Sequence, residues 1–133
     1  MYKKQPRDKK SGLPKKYVPA SLSPEDRKKQ IKSIKEKKSR PKVESFKSKR
    51  SSFVERFEKK YGYKISNLDR ISKEIIKKKG IDLIIKKGMS AYYNSGSRPN
   101  QTPQSWSLAR LASVILNGGA RKVDQSIWDK YKL

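Results

Sequence analysis

The large apolar side chains of this chain are distributed too unevenly to build one evenly packed body. In residues 1–50 they are Tyr2, Leu13, Tyr17, Val18, Leu22, Ile31, Ile34, Val43 and Phe46, scattered among Pro6, Pro14, Pro19, Pro24 and Pro41. The same stretch carries 19 basic and 5 acidic side chains. Ordering a residue costs about 1.5 kcal/mol of conformational entropy, and apolar groups this sparse do not offset it. Residues 1–50 are therefore expected to be an extended cationic arm, ordered by a partner. Residues 88–120 have the opposite character, with Arg98 and Arg110 as their charged groups among small, amide and apolar residues. A small helical domain is expected over 51–133.

The fold class expected is all-α: a small multi-helix domain of short helices preceded by a basic arm that contains one helix at 24–38. In the arm, Ser23 can cap, Pro24 suits the first helical position, and Glu25 and Asp26 favour the positive end of the helix dipole. Lys35, Lys37 and Lys38 suit the other end before Ser39-Arg40-Pro41 stops the helix. Ser52-Phe53-Val54-Glu55 reads as a capping box, with Phe53, Val54, Phe57 and Tyr61 on one face and Gly62 at the C-cap. Asn67 or Ser66 starts a helix carrying Leu68, Ile71, Ile75 and Ile76 that is expected to end at Gly80. Ile81–Lys87 then makes a further turn or two, closed by Gly88. Thr102-Pro103 opens an almost wholly apolar helix that ends at Asn117-Gly118-Gly119, and Asp124 can cap a last one bearing Ile127, Trp128 and Tyr131. No stretch sustains the period-two alternation of a strand.

Charge and chemistry narrow the function. Lys+Arg number 36 against 12 Asp+Glu, a formal net charge of +24, with no cysteine and no histidine. No disulfide, thiol nucleophile or zinc finger can form, and the usual base near neutral pH is missing. The acids mostly sit one helical turn from lysines, as Glu55 does from Lys59. The reading is of a protein that is not an enzyme and needs no cofactor. A chain this basic seeks polyanions. Apolar runs stop at three residues, as in Leu83-Ile84-Ile85, too short for a secretion signal or a membrane span. The expectation is a protein that does not span a membrane, is not secreted and takes no small-molecule substrate.

Each candidate site has a structural reading beside a functional one. In residues 91–103, Arg98 can fork onto a phosphate or carboxylate beside Tyr92 or Tyr93, or the segment is a rigid loop shaped by Gly96, Pro99 and Pro103. Arg110, alone in an apolar helix, needs a partner such as Asp82, Asp124 or loop carbonyls. Trp106 and Trp128 have the spacing of core residues rather than base-stacking platforms. Gly118-Gly119-Ala120-Arg121-Lys122 follows a helix instead of a strand, so a C-cap with a basic turn fits it better than a phosphate loop. Lys77, Lys78, Lys79, Lys86, Lys87, Arg98, Arg121 and Lys122 are candidate polyanion contacts. Tyr17, Val18, Leu22 and Phe46, with Arg40, Lys47, Lys49 and Arg50, are candidate partner-binding residues of the arm. No DNA-reading helix or aromatic RNA platform accompanies the lysines.

Residues 89–123, MSAYYNSGSRPNQTPQSWSLARLASVILNGGARKV, resemble a small family of unknown function encoded by giant and other large double-stranded DNA viruses. Leu13-Pro-Lys-Lys-Tyr-Val-Pro-Ala-Ser-Leu-Ser and Phe46-Lys-Ser-Lys-Arg-Ser-Ser-Phe are similar to it too. The resemblance implies a viral context and assigns no site residue. A minor, internal capsid protein is the reading it favours, located on the interior side of the capsid or otherwise inside the host cell. Its partners would be capsid or other virion proteins with acidic surfaces. The alternative is a nucleic-acid binding protein that neutralises packaged DNA through phosphate contacts without sequence choice. Prolines and spaced apolar anchors suit an arm threading between proteins better than a DNA condenser. A lipid-surface protein is a third reading, but the arm lacks the amphipathic helix with a wide apolar face that it would need.

Overall fold

The computed structural model describes residues 12–14, 17–43, 45, 51–97 and 99–133. Seven helices run through them: α1 Pro24–Lys35, α2 Ser52–Tyr61, α3 Leu68–Glu74, α4 Lys78–Ser95, α5 Pro103–Ile115, α6 Gly119–Val123 and α7 Gln125–Tyr131. The described residues contain no strand, and an isolated antiparallel bridge joins Ile76 and Lys132. The fold is all-α, as the missing alternation required. Two compact units divide the chain: the described residues of Met1–Ser48 with Ala91–Thr102, and Lys49–Ser90 with Pro103–Leu133.

In the first unit, α1 begins as the sequence dictates. Ser23 caps it by accepting the Asp26 amide at 3.2 Å, with Pro24 at the start and Glu25 and Asp26 in the first turn. The helix stops at Lys35 rather than 38. Lys37 takes a left-handed conformation at φ 57°, and the Lys37 and Lys38 amides donate to the Ile34 and Ser33 carbonyls. That is a Schellman closure, and it ends the helix before Pro41 is reached.

The extended arm expected over residues 1–50 takes a different form in its described part. Tyr17, Val18, Leu22, Ile34 and Val43 are all buried. Residues 91–102 pack with them in the same unit. Gly96 packs on Ile34 and Tyr17, Tyr92 is 1% exposed, and Pro99 is buried outright. Side-chain hydrogen bonds close the unit: Gln30 Nε2 donates to the carbonyls of Tyr17 and Ser97, and Asn100 pairs reciprocally with the Val43 backbone at 2.7 and 3.1 Å.

In the second unit, α2 starts after Ser51, which caps through its backbone alone, so the expected Ser52 capping box does not form. Gly62 at φ 78° ends α2 as anticipated. Val54, Phe57, Ile65, Ile71, Ile75, Ile76, Ile81, Ile84, Leu111, Ala112, Val114 and Ile115 form its core. The larger departure lies at the glycines. No helix ends at Gly80 or Gly88: α4 runs 18 residues straight through both. The break falls instead at Ile75–Lys77, where the Lys77 amide donates to the Tyr131 carbonyl and the Leu133 amide to the Ile75 carbonyl. A Cβ at Gly80 would lie 2.6 Å from the Tyr131 Cβ, and one at Gly88 would lie 2.8 Å from the Ser107 Cα. Both glycines are there for close approach, not for capping.

Helix α5 begins at Pro103 as expected and closes by the same device as α1. Asn117 sits at φ 59° and the Gly118 amide reaches back to the Ser113 carbonyl at 2.7 Å. Asp124 stands at the α7 N-terminus without capping it, because its carboxylate is committed elsewhere. Among the described residues, no helix is long and apolar enough to cross a membrane.

Candidate partner-binding surfaces

The outward side of α4 is a cationic stripe. Its pattern alternates in pairs: Gly80, Ile81 and Ile84 face the core, whereas Lys78, Lys79, Asp82, Leu83, Lys86 and Lys87 are exposed. Spacings of three and four place the exposed set on one helix face. Over Lys78–Lys87 the face is about 14 Å long. Lys77, just before the helix, is exposed as well. At its centre is Leu83, an apolar side chain 37% exposed, with Lys79 one turn before and Lys86 and Lys87 one turn after. Among the described residues the ion pairs are Lys38–Glu36, Arg70–Glu74, Lys87–Asp124 and Arg110–Asp124. Lys77, Lys78, Lys79 and Lys86 make no ion pair among the described residues, and Asp82 is the one acid on the stripe, one turn from Lys78, Lys79 and Lys86.

Asp124 organises the interior edge of this unit. Its fully buried carboxylate accepts from Arg110 Nε at 2.8 Å and Arg110 Nη2 at 3.0 Å, with Lys87 Nζ at 3.4 Å. Arg110 is thereby a fold-stabilising partner, as an isolated charge on an apolar helix had to be. Arg121 is likewise occupied. Its Nε and Nη2 donate to the Val114 and Ile115 carbonyls at the end of α5, and its guanidinium lies 4.1 Å from the Trp128 ring centroid. Lys122 beside it is exposed.

In the first unit the polar groups converge on Arg40, which is 7% exposed. Its backbone amide donates to the Tyr92 hydroxyl at 2.6 Å, and that hydroxyl donates to the Gln101 carbonyl at 2.8 Å. The guanidinium lies over the Tyr92 ring, 4.7 Å from its centroid. Nη2 donates to the carbonyls of Ser33, in the last turn of α1, and Lys38, just beyond it. Nε and Nη1 have no hydrogen-bond partner among the described residues. Burial lowers the pKa of this guanidinium, and the surrounding tyrosines oppose that shift. At the other end of α1, Asp26 accepts from the hydroxyl and amide of Ser45, and these bonds hold its carboxyl below the ordinary range.

The cations singled out in the sequence therefore separate. Lys77, Lys78, Lys79, Lys86 and Lys87 are brought together on and beside α4, whereas Arg121 is turned to the protein itself. Tyr17, Val18, Leu22 and Arg40 lie inside the first unit rather than on display. Phe46, Lys47, Lys49, Arg50 and Arg98 lie outside the described residues. Sequence reasoning missed the exposure of Leu83 and the burial of Arg40. The first was readable only once Gly80 was known to be inside a helix, and the second had no signal in the pattern.

A family model described as a family of unknown function, DUF5824, matches residues 14–130. The chain belongs to this family. The DUF5824 match spans both units, including 91–102 and the α4 stripe. No curated protein and no solved structure matches the chain. DUF5824 membership carries no residue roles, so the surfaces must be read by their own chemistry.

Proposed function

We propose that this chain is a non-enzymatic structural protein, a minor internal capsid component that bridges neighbouring capsid subunits by laying its cationic surfaces on their acidic ones. The observation that carries the reading is the α4 stripe, with exposed Leu83 at its centre and five lysines against the single acid Asp82 around it. A phosphate backbone offers nothing to a central leucine. An acidic protein face with an apolar spot matches both parts, since apolar centres with charged rims are how protein interfaces are built. The viral setting is supported by the sequence resemblance alone, carried chiefly by residues 89–123. A place inside the capsid or host cell follows from that setting.

The second reading, neutralisation of packaged DNA, is supported by the same lysines and by the net charge of +24. Two features weigh against it. No aromatic side chain among the described residues is fully exposed for base stacking, and Arg110 and Arg121 are tied to internal acceptors. Fluorescence anisotropy across a salt series separates the two readings, using labelled polyglutamate and random-sequence duplex DNA. Five phosphate-bound lysines give a log–log salt slope of about −4.5 for the duplex. The proposal expects polyglutamate to stay bound at physiological salt and duplex DNA to be released. Duplex binding that outlasts polyglutamate binding there would move the assignment to nucleic acid.

A further inference from the structure

A buried cation without a counter-ion is an unfinished piece of structure. Arg40 is 7% exposed, yet what surrounds its guanidinium among the described residues is neutral: the Tyr92 ring beneath it, the Ser33 and Lys38 carbonyls on Nη2, and Tyr17 and Tyr93 nearby. The Tyr92 hydroxyl is committed in both directions, accepting from the Arg40 amide and donating to Gln101. No carboxylate among the described residues pairs with Arg40, and the N–H groups of Nε and Nη1 have no acceptor among them. Burying an ion this way is costly unless an opposite charge joins it. The chain just before Arg40 lies at the surface. Residues 36–39 are all exposed, none belongs to a helix, and Lys37 within them adopts a left-handed backbone.

We propose that Arg40, held by Tyr92 and the Ser33 and Lys38 carbonyls, is the receiving site for the carboxylate of an acidic side chain on the docking protein. The identity of the donor protein rests on the function proposed above, but the carboxylate chemistry does not. A carboxylate fits better than a phosphate for two reasons. One negative charge balances the single guanidinium, and the Ser33 and Lys38 carbonyl oxygens already facing Arg40 would repel a second. The open N–H groups of Nε and Nη1 match oxygen acceptors, so pairing would convert an unmatched buried charge into a hydrogen-bonded one.

The test is a titration of the full chain with sodium acetate at constant ionic strength. It is followed through the arginine Nε–Hε cross-peaks in a proton–nitrogen NMR spectrum. Chloride and phosphate serve as parallel titrants. Arg40→Lys assigns the peak, and the wild-type titration itself needs no variant to stay folded. The chain has nine arginines, so eight serve as internal controls. The expected result is a saturable downfield shift of the Arg40 peak with acetate, at least threefold larger than that of any other arginine. Chloride should leave the peak in place. Three results would overturn the proposal: an Arg40 shift no larger than the others, tighter saturation by phosphate than by acetate, or displacement of the peak by Glu44→Gln alone. The last would make Glu44 the counter-ion. Because polyglutamate binding at the α4 stripe is read separately, failure here is distinguishable from failure of the docking reading.

Discussion

Replacing Gly88 by alanine sets two well-characterised effects against each other at one position. Within a helix, Gly→Ala gains about 1 kcal/mol from backbone entropy. If Gly88 closed a helix, as its sequence setting suggests, the substitution would simply lengthen that helix. In the structure Gly88 is inside α4, and the new methyl would lie 2.8 Å from the Ser107 Cα, 2.9 Å from its Oγ and 3.1 Å from its Cβ. Contacts below 3.0 Å to backbone cannot be relieved by a rotamer change, so α4 and α5 must move apart by roughly 0.7 Å to restore ordinary van der Waals distance. Overpacking of this kind costs about 1–3 kcal/mol against that gain of about 1 kcal/mol, for a net loss of up to about 2 kcal/mol. Both tryptophans, Trp106 and Trp128, belong to the second unit, so their fluorescence in urea follows that unit alone. The Gly88→Ala midpoint should fall. Adding Ser107→Gly, which removes two of the three close contacts, should restore part of it. A Gly88→Ala protein more stable than wild type would refute the close-packing account of α4.

Asp124→Ala should destabilise the second unit by about 3–5 kcal/mol, because it strands Arg110 beside a fully buried site. Adding Arg110→Ala should recover part of the loss in the same urea assay, the signature of coupled residues. Lys37→Gly should stabilise the first unit by about 1 kcal/mol by relieving the left-handed lysine, seen as slower amide exchange at the end of α1. Asp26 has a depressed pKa in the folded state. Its contribution is therefore fully present above the ordinary value of 3.8 and is lost as pH falls through the lowered one. Ser45→Ala removes the leading cause of that depression, so NMR titration should find the Asp26 carboxyl moved back up toward 3.8.

Local chemistry was readable where a residue acts on its own backbone. Ser23, Pro24 and the α1 acids set the start of that helix, and Gly62 ends α2 at a positive φ. Glycine misled wherever its role was long-range. Nothing in Lys79-Gly80-Ile81 shows that Tyr131, fifty residues on, lies against the missing side chain. The same blindness governs the front section. The described part of residues 1–50 packs with 91–102, far away in sequence, which supply Tyr92, Pro99 and hydrogen-bond partners of Gln30 and Val43. Of the candidate sites, the lysine clusters were visible as mass. Their arrangement around Leu83 depended on α4 being one helix, and the unmatched Arg40 depended on tertiary burial that no pattern encodes.

Zero-length carbodiimide cross-linking of assembled particles, followed by mass spectrometry, most directly tests whether these cations face protein carboxylates. The account predicts amide links from Lys77, Lys78, Lys79 or Lys86 to aspartate or glutamate side chains of a different protein. Absence of such links, together with ultraviolet cross-linking of the chain to nucleic acid, would contradict it.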